Sequence, residues 1–420
     1  MTPRSELAAP HAGPEPVPGG CAVVWEEALL KYDFGPYHPM SPVRLELTHL
    51  LADSFGLLER PGVRVIGAPV ASDAELGAVH SKEFIAAVRA ASAAPDAPGD
   101  PYLPFGIGQD DVPAFPAMHE ASARIAGGSI AAMEEILSGR SRRAVSFAGG
   151  MHHAREAQAA GFCVYNDAAI AIRRALAEGE ERVLYVDLDV HHGDGVERAL
   201  WNEPRAVTLS LHETGERLFP GTGFVQDTGG EGARGCAINV PLPPRTGTGG
   251  WLRAITATVP ALARAIRPTL LVTQHGADTH RSDPLADLSI TLEGQREAML
   301  LMRALADEIC GGRWLALGGG GYAVADVVPR SWTHLIAIAT GEPIPAGAPV
   351  PDAYRAQSIQ ALGRRGLLEE SPRFPGMGDG EAPEVRDWAE GFDPDDALDR
   401  AIQSARRAAF PEWGLDPYFD

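Results

Sequence analysis

The run Val183-Leu-Tyr-Val-Asp-Leu-Asp-Val-His-His-Gly-Asp194 is apolar at first and ends in carboxylates and imidazoles, side chains that ligate metals and move protons. Side chains alternate along a strand, so the spacing predicts that Asp187, Asp189 and His191 face the same way. Burying three such groups on one face is costly unless a cation or hydrogen-bond partners compensate them. Three other apolar runs also end in polar chemistry. Ala144–Phe147 is followed by Ala-Gly-Gly-Met-His152-His153, Leu270–Thr273 by Gln-His-Gly-Ala-Asp278, and Trp314–Leu317 by four glycines and Tyr322. Each alone has an ordinary explanation: a surface histidine pair, an aspartate at a turn, a flexible glycine loop. Together they make coincidence a poor account.

Asp189, His191 and Asp278 form a three-ligand set that leaves a position open for water or substrate, the mark of catalytic zinc. The same nitrogen and oxygen donors also accept ferrous iron. Such an ion polarises an amide carbonyl and lowers the pKa of bound water from ~15.7 towards ~7. His152 and His153 are candidates to move protons, with Asp187 and Asp194 available to orient their rings. Tyr322 can donate to a tetrahedral oxyanion, and the glycines before it let the loop approach a substrate closely. Every role in amide hydrolysis has a candidate.

The elements that must position these groups are short. Predicted strands are Ala22–Trp25, Val63–Ile66, Ala144–Phe147, Val183–Leu188, Ala206–Leu211, Leu270–Thr273 and Trp314–Leu317. Helical periodicity marks Pro42–Leu58, His119–Leu137, Asn166–Glu178, Gly250–Ile266 and Leu292–Ile309. Alternation of this kind predicts an α/β fold, an open and mainly parallel sheet with helices on both faces. Ligands bind beyond the carboxyl ends of the strands in such sheets, which is where the polar clusters fall. We expect a disordered leader over 1–20, one catalytic domain over 21–340 and a Pro/Gly-rich extension over 341–420. The extension is expected to carry a final helix packed on the domain, with Asp393 as N-cap, Pro394 at the first helical position and an end near Ala409.

Composition limits the partners. The 420 residues carry a formal net charge of −20, with 45% apolar and 22% charged residues. That balance argues against nucleic acid and anionic membrane surfaces and favours a basic, lysine-rich partner at long range. No stretch of ~18 apolar residues predicts a membrane span. Four scattered cysteines without a CxxC spacing predict reduced thiols and a cytoplasmic setting.

The motifs GGMHHA, GFCVYND, VDLDVHHGDG, FPGTG, HGADTH and LGGGGY, with YDFGPYHPMSPVR near the start, resemble the zinc-dependent histone deacetylase family. Within it the likeness is greatest to the bacterial acetoin-utilisation branch, over about residues 20 to 340. The resemblance implies an arginase/deacetylase-like fold and hydrolysis of N-ε-acetyl-lysine in proteins to lysine and acetate. For this branch it implies metabolic enzymes such as acetyl-CoA synthetase as substrates. Acetylpolyamine hydrolysis is the alternative within the chemistry, and a non-catalytic acyl-lysine binding protein the alternative outside it.

Residue by residue, the resemblance implies zinc ligands at Asp189, His191 and Asp278 and catalytic groups at His152, His153, Asp187, Asp194 and Tyr322. Substrate contacts fall on Asp111 (with Asp110 beside it), Gly161, Phe162, Phe219, Leu285 and Gly320. Arg44 matches an arginine of an internal acetate channel. A structural potassium ion would use Asp187, Ser210 and backbone oxygens of Asp189, His191 and Leu211. Two-metal arginases carry an aspartate where this chain has Gly193, so one catalytic ion is expected. His280 after Asp278 is typical of the branch, and either support of the site or a surface position would account for it.

Overall fold

The computed structural model describes residues 20–98, 101–108, 111–368 and 376–420. Residues 1–19 of the expected leader, and Asp110, lie outside the described residues.

Eight strands form one sheet: β1 (Cys21–Val24), β2 (Val63–Ile66), β3 (Arg143–Ser146), β4 (Val183–Asp187), β5 (Ala206–Glu213), β6 (Ala237–Leu242), β7 (Leu270–Gln274) and β8 (Trp314–Leu317). Their order is β2-β1-β3-β8-β7-β4-β5-β6, and every neighbouring pair is parallel. Strands of a parallel sheet are covered on both faces and read as continuous apolar runs. That is why the seven predicted runs coincide with strands. The eighth, β6, escaped because Pro241 interrupts it. Proline lacks the N–H a central strand must donate, but β6 is an edge, where that donor is not needed.

Helices cover the sheet. The five predicted ones appear as Val43–Ser54, Met118–Leu137, Asp167–Ala177, Thr248–Ile266 and Leu292–Ile309. Among those not foreseen, Val328–Ala339 is instructive: every residue in it is buried. Its polar residues, Arg330, Ser331, Thr333 and His334, all precede Leu335, and the run Leu335–Ala339 is apolar throughout, so no polar residue marks the later turns. Among the described residues no helix is long and apolar enough to cross a membrane, and all four cysteines are free and buried.

The final helix spans Ala397–Ala409, and its N-cap is Asp396, whose side chain accepts from Leu398 N. The expected cap, Asp393, instead accepts from Asp395 N in the preceding turn, so the chain turns once more before the helix starts. This helix packs on Thr248–Ile266 and on β6. Arg253 and Asp399 pin it through two buried bonds of 2.8 and 2.9 Å. Breaking one partner of such a buried pair typically costs ~3–5 kcal/mol.

Candidate functional site

The chemistry gathers at the carboxyl ends of four adjacent inner strands, β3, β8, β7 and β4. Asp187 is the last residue of β4, so strand alternation alone does not aim Asp189 and His191. The loop beyond does. Leu188 N donates to Gln274 O at 3.0 Å and Val190 N to Asp278 Oδ1 at 3.1 Å, which ties the β4 loop to the β7 loop. One donor atom each from Asp189, His191 and Asp278 then falls within 4.8 Å of the others, and all three residues are buried. His191 Nδ1 stands 3.1 Å from Asp189 Oδ1 and 3.3 Å from Asp278 Oδ2.

The outer oxygen of Asp189 is already satisfied: Oδ2 accepts from Gln274 Nε2 at 2.7 Å and Gly320 N at 2.9 Å. Asp278 Oδ2, by contrast, is buried without a hydrogen-bond partner. Burial and the charge of Asp189 raise the Asp278 pKa. Burial opposes charge on His191, yet the two carboxylates outweigh it and raise its pKa. Two buried carboxylates, one carrying an orphaned oxygen aimed at an imidazole nitrogen, are a cradle short of positive charge. The residues fit a single divalent ion, and their donors suit zinc or ferrous iron.

His152 and His153 lie side by side with ring centroids 4.0 Å apart. His152 Nδ1 is 2.8 Å from Asp187 Oδ2, and His153 Nδ1 is 2.7 Å from Asp194 Oδ1. An ionised carboxylate only accepts, so each Nδ1 carries the proton. Burial disfavours charge on both rings, but Asp187 and Asp189 reverse this at His152 and raise it to about 9. At His153 burial and the charge of His152 win, lowering it to about 4. Asp194 is bound twice more, by Arg155 Nε at 2.9 Å and Nη2 at 2.7 Å. Burial raises the Asp194 pKa, but His153 and Arg155 outweigh it and hold it at about 2.

Tyr322 donates its backbone N–H to Asp283 Oδ2 at 2.8 Å, and its ring meets Phe162 edge-on at 5.5 Å. Burial and the charges of Asp278 and Asp189 push the phenol well above its ordinary range, so it stays a proton donor. Arg44, 2% exposed, donates to Gly319 O at 2.8 Å and Gly321 O at 3.4 Å and stacks on Trp332. It fixes the glycine run that delivers Tyr322. Gly320 donates to Asp189 and accepts from Ala277 N at 2.8 Å, which packs it against the ligand carboxylates.

Phe219 stands edge-on to His153 at 5.0 Å and is 46% exposed, and Leu285 is 37% exposed. Phe219 also meets the His191 ring at 6.3 Å, and Phe162 lies against Tyr322, whereas Leu285 is tied by its N–H to Asp283. Asp111 Oδ2 accepts from Gly161 N at 2.8 Å, and Gly161 abuts His153 so closely that a Cβ would lie 2.2 Å from its ring. Asp187 pairs in register with Ser210 across β4 and β5, and Ser210 Oγ is 2.8 Å from His212 Nδ1. Of the residues expected around potassium, Asp187 and Ser210 are therefore neighbours across the two strands.

Several supporting residues were not assigned from sequence. Tyr185 OH donates to Asp187 Oδ2 at 2.6 Å. Asp167 accepts from Gly150 N and Met151 N at 3.0 and 2.7 Å, and Asn166 Nδ2 donates to the carbonyls of His152 and Ala154. His80 takes the Asn166 N–H on Nε2 and donates from Nδ1 to Arg155 O, both at 2.9 Å. The signal for Asn166 and Asp167 was present in the GFCVYND motif; for His80 there was none.

Comparison with known proteins agrees with this geometry. A histone deacetylase domain model matches residues 38–339. The acetoin utilization protein AcuC of Bacillus subtilis is 38% identical over 312 residues, covering 74% of this chain and 80% of the relative. AcuC of Staphylococcus xylosus is 36% identical over 325 residues, covering 77% and 84%. A solved histone deacetylase homologue in complex with SAHA superposes with a TM-score of 0.76 at 25% identity. The homologue from Aquifex aeolicus gives 0.77 at 24% identity. Each alignment spans 93% of this chain and 100% of the other.

Proposed function

This chain belongs to the histone deacetylase family of metal-dependent hydrolases, and from that premise we propose that it removes N-ε-acetyl groups from lysine side chains of proteins, giving lysine and acetate. The observation that carries the reading is the meeting of the buried Asp189–His191–Asp278 cradle, the buried His152–His153 pair and the half-buried Tyr322, whose glycine loop is tied to Asp189 through Gly320 N. A reader of acyl-lysine can dispense with any of these; this chain retains them all.

We propose zinc for the cradle, with ferrous iron as the ion the same donors also accept. When bound, it polarises the scissile carbonyl and acidifies the attacking water. His153, neutral and with its Nδ1 proton committed to Asp194, has Nε2 free to take a proton from that water. The water oxygen bonds to the carbonyl carbon, the carbon–nitrogen bond breaks, and the departing lysine nitrogen receives the proton from His153. His152, charged beside Asp187, supplies a fixed positive field. Tyr322 donates to the developing oxyanion. Phe162 and Phe219 hold the apolar lysine stem and exclude water, while Asp111 meets the substrate backbone and Leu285 lines the apolar rim. Arg44 lies on the acetate side. Asp187, Ser210 and backbone oxygens of Asp189, His191 and Leu211 hold a structural potassium ion.

We assign catalysis to residues 21–340 and a packed extension to 341–420. We propose metabolic enzymes, acetyl-CoA synthetase among them, as substrates, following the resemblance to the acetoin-utilisation branch for which these relatives are named. The free buried cysteines support a reducing, cytoplasmic setting. The test is a side-by-side rate measurement on an acetyl-lysine peptide and on N-acetylputrescine after zinc reconstitution. Preference for the peptide supports the proposal; faster cleavage of the diamine would transfer the enzyme to polyamine chemistry.

A further inference from the structure

His280 is 2% exposed, and its partner lies in the C-terminal extension. Its Nε2–H donates to Asp379 Oδ2 at 2.8 Å, and its Nδ1 accepts from Ser282 N at 3.1 Å. The ring is thus held at both ends. Asp379 belongs to a strap, Gly376–Glu381, fixed to the domain by several contacts. Met377 O lies 3.1 Å from His334 Nε2, Gly378 O accepts from Arg330 Nη1 at 3.0 Å, and Gly380 N donates to Glu293 Oε1 at 2.8 Å. Asp379 also accepts from Leu292 N at 2.9 Å and lies 3.3 Å from Arg330.

The loop that His280 anchors is the one the chemistry needs. Two residues before it is Asp278, a member of the cradle. Three residues after it is Asp283, whose N–H returns to His280 O at 2.8 Å. Asp283 divides its carboxylate between Tyr322 N at 2.8 Å and Leu285 N at 3.0 Å. One continuous chain of bonds therefore runs from Asp379 through His280 and Asp283 to the backbone of Tyr322. The strap begins well past residue 339, where the family match ends.

We propose that His280 and Asp379 are positioning residues, and that the C-terminal strap sets the place of Asp278 and Tyr322 through them. The inference rests on reading the site as the deacetylase centre, but its primary readout does not. In the full-length chain, zinc affinity is measured by competition with a chromophoric chelator, alongside kcat and KM on an acetyl-lysine peptide. Asp379→Ala and His280→Ala are each expected to weaken zinc binding or lower kcat by about 10- to 100-fold, the scale for losing a residue that orients a metal ligand. KM should stay within about twofold, because neither residue touches the substrate. The double variant should be no worse than either single, since each acts through the other. Asp379→Asn, which keeps an acceptor for His280, should recover most of the loss. Glu381→Ala, which removes only the exposed pair with Arg281, should behave as the parent.

Should Asp379→Ala fail to fold, His280→Asn breaks the same contact without touching the strap and carries the comparison. Zinc affinity and kcat unchanged in both single variants, or losses that multiply in the double, would overturn the inference. Loss of zinc affinity in variants of a parent that does not cleave acetyl-lysine would sustain the inference and overturn the function.

Discussion

Gly193 backs directly onto Asp187: a Cβ at position 193 would lie 2.2 Å from Asp187 Oδ2 and 3.4 Å from His152 Nδ1. Position 193, on which the sequence-based expectation of a single ion rests, has no room here for even a methyl group. We therefore expect metal analysis to return one divalent ion per chain in the cradle. Gly193→Ala should displace Asp187 and misplace His152, lowering kcat by ~10²-fold, the scale for an ångström-sized error in a catalytic group. A variant with parental turnover would show that Asp187 does not position His152.

Tyr322→Phe removes the phenolic donor while preserving the edge contact with Phe162. The expected result is a fall in kcat of ~10²–10³, the value of one oxyanion donor, with little change in KM. Unchanged turnover would take Tyr322 out of the chemistry.

Zinc should stabilise the fold as well as the reaction. An ion that binds only the folded chain contributes ~2.7 kcal/mol at a concentration 100 times its Kd. Chelator-treated protein should show a rise in Tm on adding zinc, and Asp278→Ala should abolish that rise because it removes one of three donors. Equal zinc-induced shifts in the parent and the variant would place the ion elsewhere.

Acid should weaken the scaffold through His80. Burial lowers its pKa to about 4, against ~6.5 in an unfolded chain, so the fold prefers the neutral ring. Its contribution is complete above pH ~6.5, is lost progressively as pH falls below that, and is gone once pH drops below the folded value. Burial acts in the same sense on His275 and His334, lowering them to about 3 and about 4. Between pH 7.5 and 4.5 we expect His80 to account for about 2–3 kcal/mol of lost stability. Urea titrations at the two pH values should show a correspondingly smaller loss in His80→Gln. An identical pH dependence would exclude His80 as a source of acid sensitivity.

The sheet was largely legible because its interior strands are enclosed on both faces and announce themselves as apolar runs. Two failures share a cause in context. Pro241 disguised β6, which tolerates proline only because it is an edge, and Val328–Ala339 has a proline in its first turn and ends in an unbroken apolar run, Leu335–Ala339. In the site, the groups at strand ends could be read from residue type and spacing. So could the carboxylates beside the two histidines, Asp187 and Asp194; partners brought in by other elements could not. Gln274 matters because its amide reaches Asp189 from the next strand, and His80 because the fold carries it to Asn166. His280 was the clearest case: its partner is 99 residues away, in a stretch whose composition carries no periodic signal.

The ion cradle, the histidines and the tyrosine all stand just beyond the carboxyl ends of interior strands, whereas Phe219 and Leu285 are exposed on loops. Reaction and choice of target can therefore be inherited separately. Drift at the mouth can change which acylated molecule enters, generation after generation, without asking the hydrolytic apparatus to be rebuilt.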